Sequence, residues 1–194
     1  MRFVADWSHA LIWLLIVVSL ASFLAFYFYL PRAGGVDEMG LFNPVYMKLH
    51  YGRMTYPIHY QPDTMVVHPP LRYAEVAALM AMGMSLFHAE SFVFTLLAIL
   101  ILLVLGSGRF QPPVKAGLLF GFLAAITFNA SIHTWSSYGL RPDLQVGTAW
   151  FAGLLLLEDG RLRGWEVKRL AIGAFLVTYA SGLHYFAAAA LLAV

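Results

Sequence analysis

The sequence contains no cysteine, which excludes disulfides, thiolate nucleophiles and cysteine-ligated metals or clusters, and leaves the redox compartment unread. Charge is the second scarcity. Only 11% of residues are Asp, Glu, Lys or Arg, against 61% hydrophobic, whereas an ordinary soluble domain is about 45–50% apolar. The net charge of +2 argues for neither nucleic acid nor an acidic partner. Internal repeats are missing, and no HxxxH or HxxH pair stands on one helix, so the usual helical metal spacing is absent. What is present is an apolar chain with its charge confined to a few stretches. The expectation is an all-α integral membrane protein with the lipid bilayer as its surroundings.

About five transmembrane helices fit the apolar runs, near residues 9–30, 91–106, 116–132, 144–157 and 170–194, within a single module covering 1–194. The first run is about 20 residues, longer than the roughly 7–15 of a signal-peptide core, and its end, Tyr27-Phe28-Tyr29-Leu30, lacks the small residues of a cleavage site. It reads as a retained span with Trp7 and Trp13 at one interface and Tyr27 and Tyr29 at the other. The abrupt apolar end after the fifth run suggests the front part of a longer enzyme.

Residues 31–90 form a polar outer loop. Met39, Phe42, Val45, Tyr46 and Leu49 recur at helical spacing, which predicts an amphipathic helix lying on a membrane surface and ended by Gly52. His68-Pro69-Pro70-Leu71 opens a second such helix running through Phe87. Only 14 uncharged residues lie between Glu75 and Glu90, short of the roughly 17–25 that a span requires. With that stretch kept on the surface, segments 1–8, 107–115 and 158–169 share one side. They hold seven of the twelve cations: Arg2, Arg109, Lys115, Arg161, Arg163, Lys168 and Arg169. That asymmetry sets the orientation by the positive-inside rule; the expected location is a bacterial or archaeal plasma membrane with the site on the outer face.

On this topology Asp37, Glu38, Asp63, Glu75, Glu90 and Asp143 all face outward, with Arg32, Lys48, Arg53, Arg72 and Arg141. Asp143 and Glu158 enclose only 14 uncharged residues, about 21 Å of helix, so Asp143 is expected near the hydrocarbon edge, where an ionisable group marks a candidate site. A carboxylate beside lipid tends to a raised pKa, which suits a general base. Capping the first surface helix is the structural alternative for Asp37, and pairing with Arg141 is the alternative for Asp143. Six histidines, at 50, 59, 68, 88, 133 and 184, lie on the same half and invite a His-ligated metal or redox reading. Single histidines are more often satisfied interface residues.

The order of elements resembles the GT-C glycosyltransferases. A span is followed by an outer loop opening with Asp37-Glu38, an aromatic amphipathic helix, Pro69-Pro70-Leu71 entering a second helix, and later Arg141-Pro142-Asp143 at the head of a span. The closest likeness is to the protein O-mannosyltransferases and the bacterial aminoarabinose transferases of lipid A. The resemblance implies an inverting transferase that moves a sugar from a polyprenyl-phosphate donor to an acceptor hydroxyl. It implies Asp37 as catalytic base with Glu38 beside it, and Asp143 positioning substrate or a divalent metal with Arg141 nearby. Val67-His68 stands where the family carries a lysine before Pro-Pro-Leu, so Arg72 or His68 is the implied substitute for holding donor phosphate. His184 corresponds to a basic residue in the family's fifth span. A noncatalytic subunit of the same fold, completed by a partner chain, is the second reading.

Overall fold

The computed structural model describes the backbone of residues 2–29, 45–52, 70–135 and 142–183, and within these helices the side chains other than 2–9, 23, 26, 27, 29, 70, 87, 90, 127–135, 142 and 143. The described residues form seven helices and no strand: α1 Arg2–Tyr29, α2 over 45–51, α3 Pro70–Ala81, α4 Leu86–Ser107, α5 Pro112–Trp135, α6 Pro142–Leu162 and α7 Val167–Leu183.

Helix α4 is the centre of the bundle, in contact with α1, α3, α5 and α6, and the most extensive packing of all joins α6 to α7. Ala98, Ile101, Leu102 and Leu105 of α4 are buried against Ile12 and Ile16 of α1, Leu119 and Phe122 of α5, and Ala149, Ala152, Leu155 and Leu156 of α6. Each large aliphatic side chain buried here contributes roughly 1.5–3 kcal/mol. Between α6 and α7 the backbones themselves approach. A Cβ on Gly153 would fall 2.8 Å from the carbonyl oxygen of Gly173, and one on Gly173 would fall 2.8 Å from that of Gly153.

Helix boundaries follow local chemistry. Gly83, at φ 95°, adopts the left-handed conformation that ends α3. Ser85 then caps α4, its hydroxyl accepting from the His88 backbone N–H, so α4 begins at Leu86 rather than at the expected Ser91. Gly52 closes α2 at φ 69°, as the sequence predicts.

Three expectations are corrected here. Among the described residues no helix is long and apolar enough to cross a membrane. Helix α6 ends in Glu158, Asp159 and Arg161, and the first turn of α7 carries Lys168 and Arg169. The fold is helical, but the five transmembrane spans and the placement as an integral protein of a bacterial or archaeal plasma membrane are overturned. Third, α3 does not present its apolar face to lipid. Tyr73, Val76 and Ala77 are buried with Val45 of α2 and Ala89 of α4 in a small second core.

Candidate functional site

At the end of the bundle formed by α3, the start of α6 and the close of α7, four polar side chains meet in an otherwise apolar interior. Arg72 is 1% exposed. Its Nη1 donates to Oε1 of Glu75 at 2.6 Å, one turn along α3, and also to Oε1 of Gln145 on α6. Gln145 returns its amide Nε2 to both carboxylate oxygens of Glu75, at 3.0 and 3.1 Å, and donates to the Tyr179 hydroxyl of α7 at 2.5 Å. Tyr179 in turn donates to Glu75 Oε2.

The arrangement has a physical logic. A carboxylate removed from water is tolerable only when paired and hydrogen-bonded, and Glu75 receives a guanidinium, an amide and a phenol from three different helices. Arg72 and Glu75 can reach each other because residues three apart share a helix face. Gln145, a neutral donor and acceptor, bridges the ion pair to Tyr179 without adding charge. Burial, the negative charge of Glu75 and the hydrogen bond to it push the Tyr179 phenol well above its ordinary pKa. The phenol is therefore a fixed donor at neutral pH. With the Glu75 oxygens engaged from three directions, the cluster acts first as a positioning device that locks α3 onto α6 and α7.

Of the residues to which the resemblance gives a role, Arg72 is the one whose side chain is described. Asp143 stands in the first turn of α6, two residues before Gln145, with its side chain outside the described residues. Asp37, Glu38, His68, Arg141 and His184 lie wholly outside them. So the structure brings Arg72 to the head of the helix that carries Asp143, and it encloses the guanidinium rather than presenting it to phosphate.

No family model, curated protein or solved structure matches the chain. The glycosyltransferase resemblance therefore rests on the residues that carry it.

Glu75, Gln145 and Tyr179 were not among the expected site residues. Their signal was available: each is a hydrogen-bonding side chain set in an apolar helix, and helix parity puts them at one end. Among the described residues no group of three or more His, Asp or Glu is placed to hold a metal ion. Of the six histidines named above, only His50 and His88 have described side chains. His88 Nδ1 lies 2.7 Å from the Ser85 hydroxyl, a partnership at the α4 cap.

The opposite end of the bundle is a second polar site. Asp159, fully buried, accepts from the backbone N–H of Arg109 at 2.7 Å, from Arg163 Nε at 2.9 Å and from Arg169 Nη1 at 2.7 Å. Arg163 continues to the Ser107 carbonyl oxygen at 2.8 Å, and Lys115 Nζ donates to that of Gly106 at 3.0 Å. One carboxylate thus ties the α4–α5 connection to the α6–α7 turn. Burial lowers the Lys115 pKa, an effect that nearby Asp159 opposes.

Proposed function

We propose that the chain is the helical part of an enzyme that transfers a sugar from a polyprenyl-phosphate donor to an acceptor hydroxyl. The observation that supports this most is the meeting of α3 with the head of α6. Arg72, five residues before which comes Val67-His68, hydrogen-bonds a residue two positions beyond Asp143. Two separate stretches that carry the resemblance to GT-C enzymes thereby converge at one end of one bundle.

In this reading Asp37 removes the acceptor proton as the new bond forms at the anomeric carbon. The bond from that carbon to the phosphate oxygen breaks, and polyprenyl phosphate leaves with inversion. Glu38 supports the base, Asp143 orients substrate, and Arg141 and His68 balance the phosphate charge that develops. His184 follows Leu183, the last residue of α7, in the sequence, and in this reading it adds a basic group for the donor. Arg72 acts as a positioning residue, holding the helix that follows His68 against α6.

The test is transfer from a radiolabelled polyprenyl-phosphate sugar by the purified full chain. Asp37→Asn should abolish turnover while the helical circular dichroism is retained; turnover that persists in this variant sinks the assignment.

One observation favours a second reading. Arg72 is enclosed and engaged by partners from its own chain, as in a cluster kept for shape rather than chemistry. A noncatalytic module of the same kind would co-purify with a chain supplying the active site, and donor turnover would then follow that partner.

A further inference from the structure

The polar end built around Asp159 has features its internal pairing does not use. Segments 106–115 and 158–169 carry six cations, Arg109, Lys115, Arg161, Arg163, Lys168 and Arg169, against three acids, Glu158, Asp159 and Glu166. The excess of three exceeds the net charge of the whole chain, +2. Asp159 is buried beneath two arginines, the more exposed Glu158 and Glu166 are paired with Arg161 and with Arg169, and Arg109 and Lys168 are exposed.

Apolar side chains project among these cations. Trp165 is 68% exposed and Val167 75%, with Leu162 and Val114 also exposed. Trp165 occupies the turn between α6 and α7 at φ 65°, beside Gly164 at φ 80°. Positive φ is a genuine outlier for a bulky residue, and such strain persists only where the surroundings impose it. The turn is held by Gly164 N–H on the Arg161 carbonyl oxygen at 3.1 Å and Glu166 N–H on that of Gly160 at 3.0 Å. The cost is sustained by a backbone frame whose visible result is an indole standing in solvent. A ring projecting from the helix ends among cations suits a deformable surface better than a shaped protein partner. Indole rings favour the headgroup level, and interleaved Lys and Arg add attraction to anionic lipid.

We infer that this end docks on an anionic lipid surface, with Trp165 and Val167 entering the headgroup layer and Arg109 and Lys168 pairing with lipid phosphates. Contact can continue along α1, whose Trp13 packs on Gly106 at this same end and whose Leu11, Leu14 and Val18 are exposed. The inference is independent of the sugar-transfer reading. It concerns surface contact and requires no helix to cross the bilayer.

Flotation of the full chain with vesicles tests it. Vesicles of phosphatidylcholine containing phosphatidylserine should retain the protein about tenfold more tightly than phosphatidylcholine alone, and roughly 0.5 M salt should release it. Trp165→Gly removes the ring and relieves the positive φ, so it should weaken flotation while leaving the melting temperature unchanged or raised. The double variant Arg109→Glu, Lys168→Glu should abolish the preference for anionic vesicles, with circular dichroism retained. Equal binding to neutral vesicles overturns the inference, as does wild-type flotation by either variant. So does heparin binding as tight as vesicle binding and indifferent to Trp165, which would point to a generic polyanion site.

Discussion

The Tyr179 hydroxyl of α7 donates to the Glu75 carboxylate of α3, across a boundary that α6 completes with Gln145. This contact holds only while the phenol keeps its proton, so it makes the docking of α3 sensitive to alkali. The folded pKa of Tyr179 is raised, and the unfolded value is about 10. Below pH about 10 both states hold the proton and the contribution is complete. Above it the unfolded chain releases a proton that the folded chain retains, and stability falls by about 1.4 kcal/mol per pH unit for this one group. Tyr179→Phe removes both hydrogen bonds and should cost about 1–3 kcal/mol at neutral pH. Its alkaline loss of stability should also be shallower than that of the wild type. Chemical denaturation of both proteins from pH 8 to 11 reads the difference, and parallel profiles would contradict it.

Arg72 and Glu75 should behave as a buried pair. Arg72→Met leaves Glu75 largely enclosed without its cation and is expected to destabilise by about 3–5 kcal/mol. Replacing both, Arg72→Met with Glu75→Leu, removes the uncompensated charge and should recover most of that loss. A double-mutant cycle by urea unfolding measures the recovery; strictly additive losses would mean that the pair is not coupled.

The Asp159 hub is expected to be the most sensitive single acid at its end. Asp159→Ala removes the acceptor of Arg163 Nε, Arg169 Nη1 and the Arg109 N–H and leaves the two guanidiniums to the Ser107 carbonyl and Glu166, with an expected cost of about 1–3 kcal/mol. Asp159→Asn keeps an acceptor oxygen but loses the charge, and its cost should be smaller. Glu158, by contrast, forms an exposed pair with Arg161 at 2.5 Å. The guanidinium hydrogen bond lowers its pKa, yet solvent screens such pairs, and Glu158→Gln should be nearly silent. Thermal melts of the three variants should rank in that order.

The helices were legible because apolar runs bounded by charge and by Gly or Pro are strong local signals. The described parts of the runs at 9–30, 91–106, 116–132, 144–157 and 170–194 fall on α1, α4, α5, α6 and α7. Parity was legible too. The cations of 107–115 and 158–169 meet at one end, and Arg72 meets the head of α6 at the other. The bilayer was not legible from composition. Apolar content measures how much surface must be covered but not what covers it, and here α4 is covered by α1, α5 and α6. The fate of α3 was also hidden. Its amphipathic pattern is the same whether the apolar face meets lipid or protein, and only the tertiary partners, Val45 and Ala89, decide. The role of Arg72 was misread for a similar reason. Sequence places a cation near the expected phosphate, but Gln145 and Tyr179, which enclose it, lie 73 and 107 positions downstream.

The closest backbone contact gives the sharpest packing prediction. Gly153 and Gly173 face each other across α6 and α7, and each stands where a methyl group would strike the other's carbonyl oxygen at 2.8 Å. Neither can be relieved by rotating a side chain, because the obstacle is main chain; a Cβ on Gly173 would also fall 3.0 Å from Leu157 N. Gly153→Ala and Gly173→Ala must therefore push the two helices apart, loosening the neighbouring Leu176 and Ala180 against Ala149 and Ala152. Overpacking of this kind costs about 1–3 kcal/mol, more than the up to about 1 kcal/mol that alanine gains over glycine in helix propensity. Gly117 and Gly121 of α5 are the control, since a Cβ there meets nothing within 4 Å. Alanine at either should leave stability unchanged or slightly raised. Equal melting temperatures for Gly153→Ala and Gly117→Ala would show that the α6–α7 crossing is looser than these distances require.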